Sequence, residues 1–579
     1  MPETIAHALV APRFGPQSKA LIVDAHATHR NILASHLRAL GVAQVMQATR
    51  TGEALQQLAT RGFDVVLCEL RLGDGSLGQD LIDEARRRGV LPLSTVVMML
   101  SPDATYDVVA EVAEFALDGF LVKPYSPGDL EDRLMRAFVR KESLRPILVD
   151  IEAGRDAEAL GQCHERFQSR GRHWTSAARF GAELAIKLGQ LPLATTMFEA
   201  VLADKAVPWA RLGLARVLDA DRRPGEALST LRDLLATEPS YVDAYDILGK
   251  IYAEQGDYPA ALKAFRQASE ITPNSVVRLQ KYGMLCHYTG DPDDAERALE
   301  RVLSIGWESP AFDPQTLMLL ALARFRRGDA ESLRALRGRL GEAVQRLDLQ
   351  PPPGHSPESL GALRGRLLRL ERKVAVLDDL LAGRGDAALA ALEGVIATMD
   401  RPDFDVEAAL NLLSLIALAL ARDVVMPSAD AWTRALALRF AVSRPVSELM
   451  AQACTGRPAL ARQVRAVHGE VGEVVRRAVS EAMNGHAQAA VDWLLQAFGR
   501  TRNLKLLEVA SATLERYRLR IDRYGDLRRR CDALMAQWGQ HGRSVLGSGG
   551  VASAPGTGLP RAPSGSASPP GGEPVASAA

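Results

Sequence analysis

Between Lys19 and Arg140 the chain alternates short apolar runs with amphipathic stretches. ALIVDA, VAQVMQA, DVVLCEL, STVVMML and GFLV have the length and β-branched character of strands buried on both faces. His29 to Leu40, Thr51 to Arg61, Gln79 to Arg88 and Thr105 to Leu117 carry apolar residues at helical spacing, and Ser126 to Arg140 follows the last run. Gly41 and Gly62 stand where the first two of these helices stop. Five β/α units in a row predict an α/β doubly wound, five-stranded parallel sheet with helices on both faces. Ligands of such sheets sit at the carboxyl ends of the strands. The residues there are Asp24 and Ala25, Glu69, Ser101 and Lys123-Pro124.

Beyond Pro146 the strand pattern does not return, and helical periodicity runs to about Gly539. Within it Val242 to Ser275 is one copy of a repeat, and a shift of 34 residues in either direction finds another. The positions that recur are Tyr245, Leu248, Gly249, Tyr252, Ala261, Phe265, Ala268 and Pro273, with Gly256-Asp257 and Gly290-Asp291 as turns. Small residues such as Gly249 and Ala261 let helices approach, and Tyr252 and Phe265 fill the space between them. A further unit upstream, one residue shorter, carries Ala182, Gly189, Ala194, Phe198 and Val201; Gln315 to Leu340 holds another around Gly328-Asp329. The stretch Ala408 to Ala421 is apolar throughout but too short to span a bilayer, which predicts a buried core helix.

These patterns divide the chain into a flexible leader (1–17), the sheet domain (18–140), a repeat array (150–310), divergent helical repeats or a capping bundle (311–543) and a disordered Gly/Ser/Ala/Pro tail (544–579). Pro351 to Pro357 marks a break.

Charge removes one class of partner. The 579 residues hold 70 Lys+Arg and 70 Asp+Glu, without the basic excess that drives non-specific nucleic-acid binding. The triplets Arg86–Arg88 and Arg528–Arg530 read as solvated helix ends. Five scattered cysteines form no CxxC pair, so reduced thiols in a cytoplasmic protein are expected, with no zinc site or disulfide framework. Asp24, His26 and His29 make a D-x-H-x-x-H pattern, which reads as a loop and helix start with two solvent histidines. No phosphate loop, nucleophile elbow or H-E-x-x-H motif is present, and no enzymatic activity is expected.

LIVDA, DVVLCELRLGDG, VVMMLS and DGFLVKPYSPGDL together resemble the CheY-like receiver domain of bacterial two-component response regulators. The resemblance implies two acids after the first strand and a phosphoacceptor Asp after the third, all holding Mg²⁺. A Ser or Thr and a Lys then contact the phosphoryl group. Asp24, Ser101 and Lys123 match. Ala25 replaces the second acid and Glu69 the phosphoacceptor. Clustered carboxylates bind a hard cation that neutralises phosphoryl charge, and in-line transfer tolerates little misplacement. Both departures point to a pseudo-receiver without the phosphorylation cycle and without a cofactor. Glu69 then reads as inert or as a mimic of a phosphorylated Asp reaching Lys123 and Ser101, although its single charge falls short of the roughly −2 of a phosphoryl group. A third reading phosphorylates Asp74 or Asp80 instead.

The 34-residue spacing resembles the tetratricopeptide repeat, which implies a superhelix that grips other polypeptides. The two resemblances together imply a non-enzymatic adaptor in phosphorelay signalling. Its partners are proteins, a sensor kinase or signalling complex among them, with no nucleic acid and no membrane insertion. The alternative is a phosphorylation-switched response regulator that controls protein binding by the repeats.

Overall fold

The structure is a computed structural model that describes residues 17–73, 78–102, 118–307, 312–349 and 357–539. The leader to residue 16, Asp74, the helix at Thr105 to Leu117, the break at 351–356 and the tail at 544–579 lie outside the described residues. Two compact units emerge, one to Arg223 and one from Pro224.

In the first unit β1 (Lys19–Val23), β2 (Gln44–Ala48), β3 (Val65–Glu69), β4 (Val96–Ser101) and β5 (Gly119–Val122) form one parallel sheet in the order β2-β1-β3-β4-β5. Alternate residues of each strand face opposite layers. Ala20, Ile22, Val65, Leu67, Met98 and Leu100 pack under α1 (Ala27–Ala39) and α4 (Pro127–Glu152). Leu21, Val23, Val66, Cys68, Val97 and Met99 pack under α2 (Thr51–Thr60) and α3 (Gly78–Arg87).

The closing helix does not end near Arg140. It begins at a capping box, where the Ser126 hydroxyl accepts from the Asp129 N–H and the Asp129 carboxylate accepts from the Ser126 N–H. It then runs 26 residues to Glu152, through Pro146. Leu130, Leu134 and Ala137 belong to the sheet's core, whereas Leu144, Ile147, Leu148 and Ile151 belong to the core of the next helices. The sequence boundary at 140–150 therefore falls inside a continuous helix. Asp118, at the start of β5, pairs with Arg140 at 3.0 Å and Lys141 at 3.2 Å of the same helix. Arg86 is not a solvated helix end: it is buried, and burial depresses its pKa against the opposing charges of Asp118 and Asp83. Arg88 pairs with Glu84. Arg528 to Arg530 are not a helix end either, since they lie in the first half of helix Tyr524–Trp538, where Arg528 is partly exposed and pairs with Asp532.

The rest of the first unit is helical: Asp156–Gln168, Trp174–Lys187, Leu191–Asp204 and Pro208–Ala220. In the second unit Pro224–Thr237, Val242–Gln255, Tyr258–Ile271, Val276–Thr289 and Pro292–Gly306 continue the series. Helices begin at Pro208, Val242 and Val276, and at Pro224, Tyr258 and Pro292, 34 residues apart in each set. The turn chemistry explains the period. Gly256, Gly290 and Gly328 end their helices at φ of 81°, 93° and 71°, which side-chain-bearing residues rarely adopt. The next residue caps the following helix: Asp257, Asp291 and Asp329 accept from the N–H groups of Ala260, Asp294 and Ser332. Gly249 makes room for a side chain rather than for a backbone, since a methyl there would meet the Phe265 ring at 2.8 Å. Ala261, Phe265 and Ala268 are fully buried and Leu248 nearly so; Tyr245 and Tyr252 are half-buried, and Pro273 lies in the exposed link. Arg278 bonds Asp243 and Asp246 at 2.9 Å each, a buried pairing that ties two successive first helices together.

Helices Gln315–Arg327 and Ala330–Leu349 extend the series. Beyond them Val406–Ala421 is buried along its length, as its apolar run predicts. It packs on helices Pro357–Leu381, Gly385–Ile396, Ala429–Phe440 and Arg444–Ala453, and its Asn411 meets the Tyr288 hydroxyl of helix Val276–Thr289 at 3.5 Å. Helix Arg444–Ala453 packs on Val242–Gln255 and Val276–Thr289, and the Tyr258 hydroxyl donates to the Pro445 carbonyl at 2.9 Å. A single apolar core runs from Met284 to Trp538. Helix Arg444–Ala453 thus covers part of the first helices at 242–255 and 276–289, and helix Pro357–Leu381 packs on Gln315–Arg327.

Candidate functional site

The carboxyl ends of β1, β3, β4 and β5 converge on one pocket. Asp24 follows β1 and is fully buried. Its Oδ1 accepts from the His26 N–H at 2.7 Å and its Oδ2 from the Lys123 ammonium at 2.9 Å. Glu69 closes β3, is 6% exposed, and accepts from the same ammonium through Oε1 at 3.0 Å. Its Oε2 is buried without a hydrogen-bond partner among the described residues. Ser101 is buried at the end of β4, and its carbonyl accepts from the Lys123 N–H at 2.8 Å, setting Lys123 beside it. His29, in the first turn of α1, places Nδ1 3.3 Å from the Lys123 ammonium and 3.7 Å from Asp24 Oδ2. The five residues singled out in the sequence are therefore brought together. His29 joins them; the sequence showed its spacing from Asp24 but not that Glu69 would stand opposite.

The two carboxyls are shifted in opposite directions. Burial opposes ionisation of Asp24, but hydrogen bonds from Lys123 and the His26 N–H outweigh it and hold the carboxyl below its usual range. Burial dominates at Glu69 and pushes its carboxyl up, with Asp24 adding to the rise and Lys123 opposing it.

The donor set does not fit Mg²⁺. That ion demands near-octahedral oxygen ligation, and position 25 offers a methyl. A methyl placed on Gly73 would sit 2.9 Å from Ala25 Cβ, so the loop after β3 lies against the space a second acid would use. The Arg30 guanidinium donates to the Asp24 and Ala25 carbonyls at 2.7 and 2.9 Å. Both remaining acids are bonded instead to the Lys123 ammonium.

Asp80, the alternative acceptor, lies in the first turn of α3 and is buried. All five cysteines are free and buried. No described helix is long and apolar enough to cross a membrane.

Comparison with known proteins agrees with the fold. Residues 20–135 match the response regulator receiver domain, and residues 212–276 match the tetratricopeptide repeat. The chemotaxis protein CheY of Pseudomonas aeruginosa is 31% identical over 125 residues, 21% of this chain and 97% of that protein. CheY-3 of Vibrio cholerae is 31% identical over 122 residues, 21% of this chain and 92% of that protein. Tetratricopeptide repeat protein 37 of Xenopus laevis is 27% identical over 135 residues, 22% of this chain but 8% of that protein.

Proposed function

We propose, on the premise that this chain belongs to the response regulator receiver family through residues 20–135, that it is a signalling adaptor whose receiver has left the phosphorylation cycle. The observation that carries this reading is the Lys123 ammonium, bonded at once to Asp24 and Glu69 beside an alanine that cannot ligate. A phosphoryl group would bring charge with no metal to balance it. Glu69 reaches Lys123 as a phosphorylated side chain would, but its carboxyl resists ionisation, which favours an inert residue over a mimic.

In this reading the receiver is a docking module and the repeats bind proteins. Helices 444–453 and 357–381 pack on first helices in residues 242–327, which leaves partners the outer faces of the second helices and the repeats before Arg223. A sensor kinase or its complex is the partner class the receiver suits, in a reducing compartment. Capture of partners on full-length protein, with and without a small phosphodonor and Mg²⁺, tests it. The same partners in both arms support the adaptor; a set that changes with the phosphodonor supports a working phospho-switch.

A further inference from the structure

We infer that residues 516–523 are a peripheral contact site for an anionic lipid surface. The segment links helix Leu504–Arg516 to helix Tyr524–Trp538 through one 3-10 turn, Arg518–Arg520. It reads RYRLRIDR, four arginines against one aspartate. Arg516, Arg518, Arg520 and Arg523 are all exposed, and none has a salt bridge among the described residues. The next helix differs: its Arg528 pairs with Glu515 and Asp532, and its Arg529 with Asp526. Among the four unpaired arginines stands Leu519, at 92% the most exposed large apolar side chain of the described residues. Its neighbours hold it out, because Ile521 is buried and Tyr517 packs against the same core. A leucine in water next to unneutralised guanidinium groups asks for a surface that offers anions and hydrocarbon together.

Leu519 chooses between the anionic surfaces. Phosphates along a nucleic-acid backbone would hold the arginines but leave the leucine in water. An acidic protein would need an apolar centre to its interface, and one leucine among four arginines does not supply it. A bilayer with anionic headgroups meets both demands. Its phosphates and carboxylates accept from guanidinium groups, and the boundary of its acyl chains lies within reach of an aliphatic side chain. Tyr517 and Tyr524 are partly exposed at the two ends of the turn, and tyrosine rings favour the headgroup level. The contact is peripheral: one side chain enters, and no described helix could follow it across. Near an anionic surface each basic residue is worth about fivefold in partition, and salt screens that gain. The segment lies outside the repeat helices of residues 208–349, so lipid contact and protein binding by the repeats use different residues.

The test is cosedimentation of full-length protein with two kinds of vesicle, one of phosphatidylcholine alone and one of equal parts phosphatidylcholine and phosphatidylserine. The expected result is binding to the anionic vesicles only, falling as salt rises. Arg520→Glu changes the charge by two and weakens partition roughly 25-fold. Asp522→Asn removes the one acid and tightens it about fivefold, a gain that misfolding would not produce. Leu519→Ser weakens vesicle binding about fivefold or more but leaves retention on heparin, a polyanion without hydrocarbon, unchanged. All three positions are exposed, so the circular dichroism spectra should match wild type. Equal binding to neutral vesicles, no binding to anionic vesicles at low salt, no loss in Leu519→Ser, no gain in Asp522→Asn, or tighter binding to duplex DNA than to vesicles at equal phosphate concentration would each overturn the assignment.

Discussion

Replacing Gly249 by alanine inserts one carbon into a filled space. That carbon would sit 2.8 Å from Cε1 and Cζ of Phe265 and 3.0 Å from Cδ1. Ordinary carbon contacts are about 3.5–4.0 Å, so the ring must retreat by roughly 0.7 Å, and at 1% exposure it has no free direction. Overpacking of this kind costs about 1–3 kcal/mol. Removing a helix glycine returns about 1 kcal/mol, so the net loss is about 0–2 kcal/mol. Leucine adds three more carbons with no further return and moves the loss to the upper end or beyond. Gly469, inside helix Pro458–Met483, is the control: nothing lies within 4 Å of a methyl there, and Gly469→Ala should stabilise by up to about 1 kcal/mol. Unfolding of full-length protein, followed by circular dichroism, should rank Gly469→Ala above wild type, then Gly249→Ala, then Gly249→Leu. Adding Phe265→Leu to Gly249→Ala should cost less than the sum of the two single changes, because the pair shares one space. If Gly249→Ala stabilises as much as Gly469→Ala, Phe265 is not seated on Gly249 and the repeat packing is wrong.

Glu69→Gln keeps the acceptor to Lys123 but removes a carboxyl whose folded pKa is raised above its ordinary 4.5. Such a carboxyl contributes most below 4.5 and costs stability as pH rises through its folded value. The variant's melting temperature relative to wild type should therefore climb from pH 4.5 upward; a gap that is flat with pH counts against the buried assignment. Lys373 is buried, donates to the Ala408 carbonyl at 3.1 Å, and has its pKa pushed down to about 7 by burial, from 10.5. Its charged form burdens the fold below pH 7, and that burden is lifted between 7 and 10.5. Lys373→Met should thus stabilise at pH 6 by more than at pH 10, and equal gains would refute the reasoning. Glu69→Asp alone should remain unmodified by a small phosphodonor with Mg²⁺, because Ala25 still supplies no carboxylate; a mass gain in that variant would show the metal argument wrong.

The strands and the repeat period were readable because each rests on local rules. Short continuous apolar runs and period-3.6 apolarity set the elements, and the Gly-Asp pairs at 256, 290 and 328 set the turns. The pocket residues were readable because strand ends in a parallel sheet converge. Other features depend on tertiary contacts that no window of sequence contains. Ser126 to Glu152 runs through Pro146 because its two halves bury Leu134 in one core and Leu148 in another. Arg86 is buried, in a triplet that looks solvated. Helix 406–421 was plainly a core helix, but its place against Tyr288 follows from packing between residues more than a hundred apart in the chain. His29 was visible as a spacing, and only the fold sets it near Glu69.

The most direct test of the lost phosphorylation cycle is the intact mass of the wild-type, full-length chain after incubation with a small phosphodonor and Mg²⁺. The account predicts an unchanged mass. A gain of about 80 Da, one phosphoryl group, localised to Glu69 or a neighbouring acid, would contradict it.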